Sequence, residues 1–266
     1  MDPVNTRAAV LGFPVRHSLS PLLHRAAYAE LGLTTWSYDA IECREEELAA
    51  FVGGCGPEWA GLSLTMPLKR VVFPLLDTVA PLAVEVGAAN TVIFRDGARH
   101  GENTDVHGIV AALAEAGVPA PASATVLGGG ATAASALAAL RELGLREAAL
   151  VVRDPRRAGE TLEVAERLGM SVETQPFESF DAGVDLLVST LPAGAADSFA
   201  AEAARARALF DVVYSPWPTV LAQAVREKGG TVVAGLSMLL HQAVRQVELM
   251  TGRAPAPVEA MRSAVW

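Results

Sequence analysis

The sequence predicts an α/β protein of two domains, the second of them a doubly wound parallel sheet. Three observations predict this. A short β-prone run, 124–127, ends in Gly128-Gly129-Gly130 and continues into an alanine-rich helical run, 131–140. After that turn, strand and helix patterns alternate to residue 237, which implies a parallel sheet with helices on both faces. Residues 1–106 hold an α/β pattern of their own, and a long amphipathic segment from 238 closes the chain.

In order, 8–12 reads as a buried strand. Ser20 before Pro21 starts a helix, with serine as N-cap and proline at the first helical position, and Gly32 ends it. Residues 35–41 form a strand, 45–52 a helix closed by Gly53-Gly54, and 59–65 another strand that runs into a helix opened by Pro67. A helix over 80–86 leads into a strand ending at Phe94, and Arg95-Asp96-Gly97 signals a hairpin turn. Asp105, a candidate cap, precedes a helix over 107–116. Beyond the glycine turn the strands are 148–152, 171–175, 185–189, 209–213 and 231–234. The helices are 155–168, 198–207 and 219–228, then 238–251, followed by Gly252 and a short tail.

Composition narrows the function. The chain has 266 residues, 51% hydrophobic and 19% charged, with a formal net charge of −9. It has no basic block and no aromatic–basic interleaving, so nucleic acid is not an expected partner. No apolar run is long enough to span a bilayer, and residues 1–7 lack the apolar core of a signal peptide. Cys43 and Cys55 have no metal or redox spacing and read as free thiols of a reducing cytoplasm, and the histidines show no ligand pair.

The turn at Gly128-x-Gly130-x-x-Ala133 fits the dinucleotide fingerprint of a Rossmann-like domain. Gly128 allows the tight turn, Gly130 has no Cβ to keep a pyrophosphate from the backbone, and Ala133 lets helix and strand pack closely. Gly129 and Ala131 lie in the same turn, where helix N–H groups would face phosphates. Downstream, Arg153, Arg156 and Arg157 crowd the end of the next strand and would suit a 2′-phosphate. Asp154 before Pro155 reads as an N-cap, but an acid there would also suit a bare 2′-hydroxyl, so NADP is expected and NAD remains open.

Lysine occurs only at 69 and 228, against arginine for every other basic residue. A lysine in such a background marks a role arginine cannot fill, such as giving up a proton. Thr65 and Lys69 lie just past the carboxyl end of a strand, where open α/β sheets place ligands. Ser18 and Ser20, on a strand-to-helix loop, offer two hydroxyls to a small carboxylate.

Seven ordered segments together resemble the shikimate dehydrogenase family across nearly the whole chain. These are Gly12-x-Pro14-x-x-His17-Ser18-x-Ser20-Pro21-x-x-His24, Gly61-Leu62-Ser63-Leu64-Thr65-Met66-Pro67-Leu68-Lys69, Gly87-Ala88-Ala89-Asn90-Thr91 and Asn103-Thr104-Asp105-x-x-Gly108; the glycine turn; and Asp211-x-x-Tyr214-x-Pro216 and Gly235-Leu236-Ser237-Met238-Leu239-Leu240-His241-Gln242-Ala243. The resemblance implies reversible reduction of 3-dehydroshikimate to shikimate with a nicotinamide cofactor, by a monomer or homodimer. It implies Lys69 and Asp105 as catalytic groups. Ser18, Ser20 and Tyr214 would hold the substrate carboxylate, and Thr65, Asn90, Asp105 and Gln242 its ring hydroxyls. Gly128, Gly129, Gly130, Ala131, Arg153, Arg157 and Gly235 would hold the cofactor. It implies a substrate domain of residues 1–106 with 238–266, an NADP-binding domain of residues 107–237, and a site in the cleft. Two positions depart from the family pattern. Ser63-Leu64 stands where asparagine-valine is usual, which alters the support beneath the site, and Val152-Arg153-Asp154 stands where asparagine-arginine-threonine is common. Quinate or an aminated analogue as substrate, a metabolite-sensing regulator on the same fold, and a folate-linked dehydrogenase are the competing readings. Intact Lys69 and Asp105 disfavour the regulator; the serine pair and Gln242 disfavour the folate-linked enzyme.

Overall fold

The computed structural model describes residues 5–178 and 180–266 and, for Pro155 and Arg157, the backbone alone. The chain folds as two units, Met1–Thr104 with Leu240–Trp266, and Asp105–Leu239. The first unit contains β1 (Thr6–Gly12), α1 (Ser20–Glu30), β2 (Trp36–Glu42), α2 (Glu45–Gly53), β3 (Trp59–Leu64), α3 (Leu68–Val71), β4 (Thr78–Val79), α4 (Pro81–Val86), β5 (Thr91–Arg95) and β6 (Ala98–Glu102). The second contains α5 (Asp105–Glu115), β7 (Ala124–Leu127), α6 (Ala131–Glu142), β8 (Glu147–Val151), α7 (Gly159–Arg167), β9 (Ser171–Gln175), β10 (Leu186–Ser189), α8 (Ala200–Ala203), β11 (Ala208–Asp211), α9 (Val220–Glu227) and β12 (Thr231–Ala234). Helix α10 (Gly235–Thr251) starts in the second unit and belongs to the first from Leu240 on, where α11 (Val258–Ser263) follows. Among the described residues no helix is long and apolar enough to cross a membrane.

The first sheet is mixed, in the order β2-β1-β3-β5-β6-β4. β1 explains its burial: Ala9 and Leu11 pack into the core with Leu48, Val52, Leu62 and Leu68, while Ala8 and Val10 pack on the opposite face with Tyr28, Tyr38 and Met250. A strand covered on both faces needs an unbroken apolar run, and its residues still alternate between faces with period two. The β5–β6 hairpin closes on Asp96-Gly97, both at positive φ (54° and 77°), the twisted two-residue turn that Asp-Gly favours.

The second sheet is wholly parallel, ordered β12-β11-β10-β7-β8-β9. The chain starts at β7, winds outward through β8 and β9, then returns to β10 beside β7. This is the doubly wound order in which the strand direction of travel reverses between β7 and β10. Helix α6 is buried at every position from Ala133 to Leu140, which its alanines permit by letting neighbouring elements approach on all sides.

Several expected elements differ. The helix expected over 198–207 is a 3₁₀ turn (Asp197–Phe199) and the short α8, because Ala208 must already pair with Leu186 in the sheet; strand pairing here overrides alanine's helix propensity. The helix expected from 155 opens as 3₁₀ and becomes regular only at Gly159. The last long helix starts at Gly235 instead of 238, and the expected tail contains α11, which packs on α1 and buries Met261.

Candidate active site

In the first unit β1 and β3 run parallel, β5 runs against β3, and β6 against β5. The carboxyl ends of β1, β3 and β6 and the amino end of β5 therefore meet at one edge of the sheet. Gly12 brings the first two together. A Cβ there would lie 2.3 Å from Thr65 Cγ2 and 2.9 Å from the Met66 carbonyl, so only glycine allows this approach. The Phe13 N–H donates to that carbonyl at 2.9 Å, which sets the loop carrying Ser18 and Ser20 beside the one carrying Thr65.

Ser20 does not cap α1 as expected. It is the first helical residue, Leu19 is the cap position, and no side chain caps from there. Ser18 partly replaces it. The Ser18 hydroxyl accepts from the Ser20 N–H at 3.3 Å, and so this serine, read as the less structural of the two, also shapes the helix start. Thr65 is half-buried, with its N–H donating to Leu11 O at 2.9 Å. Lys69 is half-buried on α3, and its carbonyl accepts from the Ala89 N–H at 2.8 Å, which ties the lysine turn to the residue preceding Asn90.

Asn90 is 2% exposed and is joined to Gln242 of α10. Its Oδ1 accepts from the Thr104 N–H at 2.8 Å and from Thr91 Oγ1 at 3.0 Å; its Nδ2 donates to Thr104 Oγ1 at 2.9 Å and to Gln242 Oε1 at 3.4 Å. Thr104 thus completes the cluster although sequence reasoning gave it no role. Below it lies a second set of buried polar residues, of which sequence reasoning singled out only Ser63, as altered support beneath the site. Gln246 donates to Thr91 Oγ1 (2.9 Å), Ser63 donates to Gln246 Oε1 (2.8 Å), and Tyr38 donates to Ser63 (2.6 Å). His24 Nε2 lies 3.3 Å from the same Gln246 oxygen and its ring stacks on Tyr38 at 3.9 Å. Burial drives the His24 pKa down to about 3, only partly offset by the Gln246 bond, so the ring is neutral. The one sequence signal was the spacing of Gln242 and Gln246, four residues apart on one face of a largely apolar helix.

In the second unit Asp105 is the first residue of α5 and 3% exposed, placing a carboxylate at a helix N-terminus, where the dipole favours negative charge. The glycine turn lies where β7 and β10 adjoin. Gly128 has φ +108°, and a Cβ there would come within 2.5 Å of Thr190 Oγ1. Gly129 O accepts from Thr161 Oγ1 at 2.8 Å, which braces the turn against α7. Gly130 is the N-cap of α6 and supplies no side chain; its Cβ position has nothing within 4 Å. Ala131 begins α6, and Ala133 is fully buried. Arg153 is exposed after β8. Asp154 accepts from the Arg156 N–H at 3.1 Å, so it is the cap, and it pairs with the Arg156 side chain at 3.0 Å. The side chain of Arg157 lies outside the described residues. Tyr214 is half-buried in the loop after β11, and burial raises its phenol pKa. Asp211 closes that loop by accepting from Thr219 Oγ1 (2.7 Å) and the Val213 N–H (3.2 Å); burial raises its pKa despite these bonds. A Cβ on Gly235 would sit 1.9 Å from Val212 O, a packing reason for glycine.

Known proteins resemble this chain in sequence and fold. Residues 10–92 match the family model described as shikimate dehydrogenase substrate binding domain, and residues 235–265 match the shikimate 5'-dehydrogenase C-terminal domain. A shikimate dehydrogenase (NADP(+)) of Moorella thermoacetica is 35% identical over 95% of this chain and 90% of its own. The crystal structure of Mycobacterium tuberculosis shikimate dehydrogenase is 44% identical, with a TM-score of 0.90 over 97% of this chain and 98% of that one. The Thermus thermophilus shikimate 5-dehydrogenase, solved in complex with NADP(H) and shikimate, is 36% identical, with a TM-score of 0.84 over 98% of this chain and 100% of that one. Relatives this similar over nearly their full length show that the chain belongs to the shikimate dehydrogenase family.

Proposed function

We propose that this protein is an NADP-dependent shikimate dehydrogenase of the cytoplasm, reducing 3-dehydroshikimate reversibly to shikimate as a monomer or homodimer. The observation that carries the reading is the joined pair Asn90–Gln242 at the sheet edge that also carries Lys69 and the two serines. Buried amides held at fixed spacing suit a polyhydroxylated ring, because they offer directed bonds and lose little freedom on binding. In this reading Ser18, Ser20 and Tyr214 hold the substrate carboxylate, and Thr65, Asn90, Asp105 and Gln242 hold its hydroxyls.

The glycine turn fits a dinucleotide on the chain's own terms. The space a Gly130 Cβ would fill is open, and the start of α6 is capped by no side chain. Gly128, Gly129, Gly130 and Ala131 would take the pyrophosphate there, Arg153 and Arg157 the 2′-phosphate, and Gly235 would border the cofactor. With Asp154 engaged by the Arg156 backbone and side chain, acid recognition of a bare 2′-hydroxyl is disfavoured. When bound, the nicotinamide supplies the hydride. Lys69 Nζ delivers the proton to the oxygen on which charge develops, and receives it back in the oxidative direction. In this reading Asp105 is the second catalytic group at that oxygen, beside Lys69. A steady-state panel of shikimate, quinate and aminoshikimate, each with NADP+ and NAD+, tests the proposal: kcat/KM should be highest for shikimate with NADP+, and a higher value for another substrate or for NAD+ would overturn that part of it.

A further inference from the structure

The polarity of the buried network follows from two backbone groups. The Thr104 N–H can only donate, so the Asn90 atom 2.8 Å away is Oδ1. Asn90 Nδ2 then points the other way, and the Gln242 atom facing it at 3.4 Å must accept; it is Oε1. The Asn90 carbonyl can only accept, so the Gln246 atom 3.4 Å from it is Nε2, which also donates to Thr91 Oγ1 at 2.9 Å. The Thr91 hydroxyl spends its one hydrogen on Asn90 Oδ1 at 3.0 Å. On its far side Gln246 presents Oε1, so both groups facing it must donate. Ser63 does so at 2.8 Å, and its own oxygen accepts from Tyr38 at 2.6 Å. His24, neutral, does so from Nε2 at 3.3 Å. Every hydrogen from Tyr38 and His24 to Asn90 therefore has one direction, and Gln246 is the joint between the two ends.

We infer that Gln246 is a positioning residue: through Thr91 and the Asn90 backbone it holds the Asn90 side chain, and through Asn90 the Gln242 amide, in the single polarity that meets the substrate. The inference rests on Asn90 and Gln242 being substrate residues. Gln246 is 1% exposed and makes no contact with a ligand in this reading; it acts by denying Asn90 a second rotamer. Ser63 completes the joint from the other side, since its short side chain leaves room for a glutamine where a longer residue would compete.

The test is a mutant cycle read in KM. Gln246→Met keeps length and packing and removes both polar ends. We expect the KM for shikimate to rise by about tenfold, with the KM for NADP+ unchanged and kcat altered less, as for loss of one coupled polar partner. In an Asn90→Ala background the same change should have no further effect on that KM, because the residue through which it acts is gone. Ser63→Ala removes one hydroxyl and serves if Gln246→Met does not fold; it should raise the shikimate KM by roughly threefold in the same pattern. A folded Gln246→Met or Ser63→Ala protein with wild-type shikimate KM, a full and independent effect in the Asn90→Ala background, or an equal rise in the KM for NADP+ would overturn the inference. A wild-type protein inert toward shikimate is a different result, which removes the functional reading itself.

Discussion

Asn90, just before β5, and Gly130, in the turn between β7 and α6, are opposites. Asn90 is 2% exposed and bonded to Thr91, Thr104 and Gln242. Gly130 is exposed, and its Cβ position has no atom within 4 Å. In the proposed reading the first unit recognises substrate through side chains whose polarity is set by partners distant in sequence. In the same reading the second recognises the cofactor through backbone left bare, so that a ligand can approach. A side-chain site fails when a partner is removed; a backbone site fails when something is added. The two kinds of substitution therefore separate the two jobs.

The largest effect is expected at Lys69, the one assigned residue of the first unit that moves a proton. Lys69→Ala should lower kcat by about 10²–10⁴, typical of a positioned acid–base group, with substrate binding changed much less. Lys69→Arg keeps the charge without readily releasing a proton. Recovery of most of the kcat by arginine would make Lys69 an electrostatic anchor, and a near-wild-type kcat in the alanine variant would remove it from catalysis.

In the second unit the addition experiment comes next. Gly128→Ala puts a side chain at φ +108° and within 2.5 Å of Thr190 Oγ1. Strain of this kind costs about 1–3 kcal/mol, so the Tm should fall and the KM for NADP+ should rise; an unchanged Tm would contradict the turn geometry. Arg153→Ala should raise the KM for NADP+ by roughly tenfold, the loss of one charge-assisted contact, and leave NAD+ nearly unaffected. Equal effects on both cofactors would show that Arg153 does not meet the 2′-phosphate.

A pH effect sharpens the first unit's side. His24 is held neutral, with its pKa near 3 when folded against 6.5 when unfolded. As pH falls below 6.5 the unfolded chain binds a proton that the folded chain refuses, so stability is full above that pH and is lost on the way to 3. The slope from this one group is about 1.4 kcal/mol per pH unit within the window. His24→Gln keeps a donor for Gln246 and does not titrate, so its Tm should fall less steeply between pH 6 and 4 than that of wild type, on the order of this slope. Parallel curves would show that His24 is not held neutral in the fold.

The same contrast explains what could be read from sequence. The glycine turn, the Asp96-Gly97 hairpin and the Asp154 cap were legible because each is a local demand on φ/ψ or on one hydrogen bond. The Asn90–Gln242 pair was reached through the family resemblance, not from spacing. Of the joint beneath it only Ser63 was singled out, as altered support; its partners were not, because Gln246 meets Ser63 across 183 residues and His24 across 222, and only the four-residue spacing of Gln242 and Gln246 hints at them locally. Ser20 was misplaced by one position because serine before proline looks alike at the cap and at the first turn. The helix expected over 198–207 failed because a strand pairing claimed its end, and α11 was missed because a short helix after Gly252 gains its stability from packing on α1.

The division of labour between the units is tested most directly by initial rates of shikimate oxidation, varying both substrates, for Asn90→Ala and Gly130→Val side by side. A Cβ at 130 would have no atom within 4 Å and the backbone there is extended, so an added side chain should be felt chiefly by the cofactor. We predict that Gly130→Val raises the KM for NADP+ with unchanged Tm and unchanged KM for shikimate, and that Asn90→Ala does the reverse. If Gly130→Val leaves the KM for NADP+ at the wild-type value, or either variant raises both constants alike, the account is contradicted.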